Sequence, residues 1–142
     1  MKKRIYITLS KKHLAVILAL IIIALVLALQ TISKKDNFID GSTNELRVNF
    51  LKSIKLEPDD SNQTYKEIII PQDFSEVYRK YNSLQKKAGF DLSSYKGKPA
   101  TVYTYALSGT QKEIHLIVCN DKIIGGDIAD IKADGELLPL QK

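Results

Sequence analysis

The sequence predicts an α+β fold. An N-terminal transmembrane helix precedes a two-layer domain, in which two helices cover one face of a mainly antiparallel four-stranded sheet, in the order α-β-α-β-β-β. Three observations carry this prediction. Residues 14–29 are sixteen apolar residues in a row, and Lys2, Lys3, Arg4, Lys11 and Lys12 lie before them. Two capping patterns, at residues 42–45 and 73–76, each open an apolar stripe at helical spacing. Three β-branched runs then follow with short turns between them, which implies an antiparallel meander.

As a helix, residues 13–32 would reach about 30 Å, the thickness of a bilayer's hydrocarbon core. The cations before the run would keep the N-terminus in the cytoplasm and send the remainder outside. The expected organisation is a cytoplasmic basic segment at 1–13, a single-pass signal-anchor helix at 14–32, a linker at 33–42 and an extracytoplasmic domain at 43–142. A cleaved signal peptide, giving a secreted factor, is the alternative, and Val26 and Ala28 offer it only a poor cleavage site. The chain of 142 residues has a formal net charge of +5, with 21 basic and 16 acidic side chains. The five cations before the run account for that whole excess. A neutral remainder excludes nucleic-acid binding, which needs cations clustered on the folded domain. Membrane lipid, through residues 14–32, is the first expected partner.

The first helix of the outer domain places Leu46, Phe50, Leu51 and Ile54 on one stripe, and Pro58-Asp59-Asp60 ends it. A strand at 65–70 follows and is stopped by Pro71. The second helix gathers Val77, Tyr81, Leu84 and Ala88 on one face, with Phe74 and Tyr78 beside it. Gly89 supplies its C′ residue, and Phe90 the apolar contact of a Schellman end. Strands are expected at 100–107, 113–119 and 123–130, joined by Ser108-Gly109-Thr110 and Asn120-Asp121-Lys122.

Few residues point to chemistry. Cys119 is the sole cysteine and falls in an apolar run, which reads as a buried small hydrophobe. His115 lies four positions away on the same strand, about 13 Å off, too far to activate it. Asp121, Asp127, Asp130, Asp134 and Glu136 make an acidic stretch without the spacing of a calcium loop, so no metal and no cofactor are expected. Tyr103 and Tyr105 share a strand face and, with Tyr95, either roof the core or form an aromatic platform. Gly125-Gly126-Asp127 interrupts the last strand, where paired glycines admit a bulge or the close approach of another chain segment. No nucleophile elbow, zinc-binding His-Glu-x-x-His or phosphate-cradling loop is present.

The motifs Tyr81-Asn82, Leu84-Gln85, Gly89-Phe90-Asp91-Leu92, residues 95–98 (Tyr-Lys-Gly-Lys), Tyr103 with Tyr105, and residues 124–127 (Ile-Gly-Gly-Asp) resemble a pattern in an uncharacterised bacterial family, domain of unknown function 4830. The resemblance implies a membrane-anchored protein of the kind found mainly in Gram-positive Firmicutes, and it supplies no activity. Lys55-Leu56 stands where that family often carries Gly-Trp, so this corner would pack differently, and the 108–110 turn is shorter than usual. The matched polar positions exceed what a core requires, so Asn82, Gln85, Asp91, Lys96, Gly125, Gly126 and Asp127 form the candidate binding set. The expected function is non-catalytic binding of an envelope protein or cell-wall partner, with an added strand near the glycines as one mode. The alternative is an envelope-polymer hydrolase or transferase using Asp127 and Asp91 as facing carboxylates.

Overall fold

Alternation and two tight turns build the sheet. The apolar run at the end of β3 (Lys112–Cys119) turns at Asn120 and Asp121, both with positive φ, into β4 (Lys122–Asp130). Two left-handed residues are what a two-residue hairpin turn requires. β2 (Pro99–Leu107) pairs the other side of β3, β1 (Pro58–Ile69) pairs β2, and β5 (Leu137–Pro139) pairs β4. The order is β1-β2-β3-β4-β5, antiparallel throughout. The computed structural model describes residues 11–32, 38–132 and 136–140. The chain divides into two units, Met1–Asn37, which holds helix α1 (Lys11–Ile32), and Phe38–Lys142, which holds the sheet.

Side chains separate into two apolar clusters along each strand. Ile114, Leu116 and Val118 join Tyr103 and Tyr105 in one; Ile117 and Cys119 join Ala100 and Val102 in the other. Successive strand residues point to opposite faces, so the clusters lie on the two faces of the sheet. Helix α2 (Asn44–Ser53) gives Val48 and Leu51 to the first. The segment carrying helix α3 (Glu76–Lys87) and the 3₁₀ turn Leu92–Tyr95 gives Phe74, Tyr78, Tyr81 and Leu92 to the second.

Three expectations are corrected. The helices cover opposite faces, not one, so the domain has three layers; a strand apolar on both sides, as at residues 114–119, belongs in the middle of such a stack. The sheet has five strands, not four. β5 escapes sequence reading because it is three residues long, and its Pro139 is tolerated because it sits on an edge. Third, among the described residues no helix is long and apolar enough to cross a membrane, which overturns the transmembrane, single-pass signal-anchor reading of 14–32. Helix α1 itself is present over Lys11–Ile32. Residues 1–10 and half of the expected linker, 33–37, lie outside the described residues, as does Asp134.

The helix ends follow their caps. Thr43 Oγ1 accepts from Leu46 N at 3.3 Å and Ser75 Oγ from Tyr78 N at 3.2 Å, so each true N-cap falls one or two residues after the one expected. At the end of α3, Phe90 N donates to Gln85 O and Gly89 N to Lys86 O, with Gly89 at φ +80°. This is the Schellman end expected from the sequence. The buried face of α3 is rotated from expectation. Val77 is exposed, and Asn82, Gln85 and Ala88 are buried.

Candidate functional site

A polar seam runs between α3 and the glycine-bearing part of β4. His115 on β3 and Asp127 on β4 are directly opposite, on the face that α3 covers. A one-residue register shift between Ile117 and Val118 creates that pairing. Asp127, 3% exposed, accepts from Tyr81 O–H on Oδ2 at 2.5 Å and from His115 Nδ1–H on Oδ1 at 2.8 Å. The hydrogen bond and charge of Asp127 raise the His115 pKa against the opposing effect of burial, and Glu113 adds to this from 3.7 Å. Tyr81 is held far above the usual phenol range, first by burial and then by the adjacent carboxylate.

Gln85, fully buried, accepts from Gly126 N–H on Oε1 at 2.8 Å. Among the described residues its Nε2 is the one buried side-chain polar atom without a partner. Both glycines are dictated by close approach. A Cβ on Gly125 would stand 2.8 Å from Gln85 Oε1, and one on Gly126 would stand 2.4 Å from the His115 carbonyl.

The other expected residues do local work. Asn82 bridges the turn after α3, donating to Asp91 Oδ1 at 3.0 Å and accepting from Leu92 N at 2.8 Å. Asp91 also accepts from Ser93 N and Oγ, and it pairs with Lys86 at 3.3 Å. Burial pushes its carboxyl up, but these bonds outweigh it and hold Asp91 well below the usual carboxylate range. Lys96 lies 4.8 Å from the Phe74 ring centroid, apart from the seam. The structure therefore brings together Gln85, Gly125, Gly126 and Asp127, and it separates Asn82, Asp91 and Lys96 from them. Sequence reasoning missed Tyr81 and His115 as members. Tyr78, Tyr81, Asn82, Gln85 and Ala88 recur at helical spacing, which was the available signal for the buried face.

The seam closes an edge of the sheet. Residues 39–41 cover the start of β4, through Gly41 N to Asp121 O at 2.7 Å and Ile123 N to Ile39 O at 2.9 Å. Gln85 takes the N–H of Gly126, and β5 pairs residues 127–129. The strand addition expected beside the glycines is thus corrected, because that side of β4 is occupied. Buried Arg47 locks the covering segment: Nη1 donates to Gly41 O at 2.7 Å and Nε to Tyr105 Oη at 2.9 Å, while its guanidinium stacks 3.5 Å over Tyr103.

The opposite edge is free. β1 bulges out between Asp59 and Thr64, then runs straight over 64–69 against β2 with nothing on its outer side among the described residues. Ile70 N donates to Lys98 O, and Pro99, opposite Ile69, has no N–H to give. Even-numbered residues here therefore bond β2, and Tyr65, Glu67 and Ile69 turn N–H and C=O outward. Tyr65 and Ile69 are 70% and 71% exposed, on the sheet face that α2 leaves bare beyond Tyr103. An open groove of about 590 Å³ lies there, lined by Glu67, Ile69, Thr101, Tyr103, Val118 and Asp121 among others. No group of His, Cys, Asp or Glu that could hold a metal occurs among the described residues.

No curated protein and no solved structure matches the chain. A family model does match, over residues 50–128. That span runs from the end of α2 through the free edge, α3, the seam residues Tyr81, Gln85, His115 and Asp127, and most of β4. The chain whose strands and polar seam fall inside this match belongs to the family described as Domain of unknown function (DUF4830).

Proposed function

We propose that the domain of residues 38–140 is a non-catalytic binding module that takes an extended polypeptide segment onto the free edge of β1, from an envelope protein. One observation carries the reading: three successive outward N–H and C=O pairs, at Tyr65, Glu67 and Ile69, beside exposed apolar side chains and an open groove. Such an edge is a template for another strand, and native folds blunt it unless it is used. The basic start and apolar run of the N-terminal sequence also fit an export signal, which supports the choice of an envelope partner. The hydrolase alternative draws no support from Asp127, whose two oxygens are engaged and buried.

The test is site-specific photocrosslinking in the full chain within cells, with the probe at residue 65 or at residue 77 on the exposed side of α3. The expected result is one discrete envelope protein captured through a defined segment from residue 65, absent from residue 77 and lost on Glu67→Pro. Equal capture from both positions, or capture that survives Glu67→Pro, would overturn the reading.

A further inference from the structure

The charges on the free edge restrict what can pair with it. Lys66 and Glu67 stand at its centre, and among the described residues neither has an ion-pair partner. Their neighbours across β2 are Val102 and Thr101, which are uncharged. The groove beside Glu67 adds the carboxylate of Asp121 and has no cation in its lining.

A second copy of this chain meets an obstacle here. Two β1 edges related by a two-fold axis normal to the sheet pair residues whose numbers are both odd or both even, since directly opposite side chains share a face. The two registers that use most of the 64–69 edge are then centred on Lys66 or on Glu67. Each sets like charges directly opposite one another, which destabilises a pair. A different segment, with the charges reversed, meets no such penalty.

We infer, resting on the strand-addition reading above, that the segment received by β1 is antiparallel and carries a basic residue followed at once by an acidic one. Running N to C, it faces Ile69, Ile68, Glu67, Lys66 and Tyr65 in turn. Its order is apolar, any, basic, acidic, apolar. The basic side chain meets Glu67 on the groove side, within reach of the negative field of Asp121, and the acidic side chain meets Lys66 on the other face. The apolar residues cover Ile69 and Tyr65, which the domain leaves in water.

Two short peptides, blocked at both ends, test this by fluorescence anisotropy against the full chain. One has the core Ile-Thr-Lys-Glu-Val and the other Ile-Thr-Glu-Lys-Val. The first is expected to bind about tenfold tighter, because two attractive cross-strand pairs replace two repulsive ones. The double reversal Lys66→Glu with Glu67→Lys should invert the preference. Equal affinities that still vanish on Glu67→Pro would overturn the charge rule and leave strand addition standing. Binding of neither peptide would overturn both. A dimer in sedimentation that Glu67→Pro disperses would overturn the heterologous partner in favour of self-pairing.

Discussion

The outer sides of β4 and β1 are the two edges of one sheet, finished in opposite ways. Along β4 every stretch is taken: residues 39–41 at the start, Gln85 at Gly126, and β5 at 127–129. These covers come from three distant parts of the chain and are locked by buried polar groups, Arg47 on one side and the Tyr81–Asp127–His115 chain on the other. Along β1 the bulge at 59–64 blunts one end, and six residues then remain bare. The same chain can evidently close an edge, so the open one is not a failure of means. The contrast teaches where stability resides and where a partner has room, and substitutions on the two sides should separate the two properties.

The largest effect is expected at the closed edge. Gly126→Val would drive a side chain into the His115 carbonyl and into Leu140 Cδ1, which a Cβ alone would approach to 2.6 Å. Backbone on one side cannot yield, so a loss of about 3 kcal/mol is expected in urea unfolding. A variant within experimental error of the parent would show that the seam is loose and the comparison unfounded.

Asp127→Asn comes next, because it weakens the acceptor shared by Tyr81 and His115. A loss of about 2 kcal/mol is expected for a buried charged acceptor with two partners. It also carries a pH signature. The folded-state pKa of His115 is raised, so the folded state binds the proton more tightly than the unfolded one. The stabilisation is fully present below the ordinary histidine value near 6.5 and is lost as pH rises through the folded value. Unfolding midpoints of the parent should therefore fall as pH climbs from about 6, and the Asp127→Asn variant should show a flatter profile. An unchanged slope would mean that His115 is not coupled to Asp127 in solution.

The seam also marks the boundary of what the sequence disclosed. The β2-β3-β4 meander, the Asn120-Asp121 turn, the Schellman end at Gly89 and the buried Cys119 were legible because each depends on residues close together in the chain. The His115–Asp127 pair was not. A two-residue turn without a bulge would place His115 opposite Gly126, and only the extra residue near Ile124 advances the register to Asp127. Placement of both helices on one face failed for a related reason. The apolar stripe of each helix says only that it covers something, whereas the run from Ile114 to Cys119, apolar on both sides, is what demands two covered faces. The early part of β1, with Asp59, Asp60, Ser61 and Asn62, has no strand pattern at all and is held by pairing with β2 rather than by propensity.

A smaller change should tighten the closed side further. Lys55 adopts φ +65° after α2, a conformation that costs a side-chain-bearing residue about 1 kcal/mol. Beside it a groove of about 530 Å³ opens between Ile54, Leu56, Ile128, Leu138 and Pro139. These are the two positions where the resembled family often has Gly and Trp. Lys55→Gly is expected to stabilise by about 0.5–1 kcal/mol, and Leu56→Trp to add to it by filling the groove against β5. Thermal unfolding of the single and double variants reads the gain directly. A loss with Lys55→Gly would mean that the lysine stem packs on the groove and outweighs the backbone strain.

The smallest effect is expected on β1, and its smallness is the point. Glu67 points its N–H away from β2, so Glu67→Pro removes a donor that bonds nothing within the domain, and stability should change by less than about 0.5 kcal/mol. Ile68, one residue along, donates to β2, so Ile68→Pro should cost about 2 kcal/mol by breaking the ladder and orphaning its acceptor. Chemical unfolding of the two variants side by side therefore tests the register on its own, with no partner in the tube. A costly Glu67→Pro beside a near-neutral Ile68→Pro would place the outward groups on the even-numbered residues instead. A near-neutral Glu67→Pro against a costly Ile68→Pro would leave the outward N–H and C=O groups of residues 65, 67 and 69 contributing nothing to folding, and groups with no structural duty are free to be specified by what binds them.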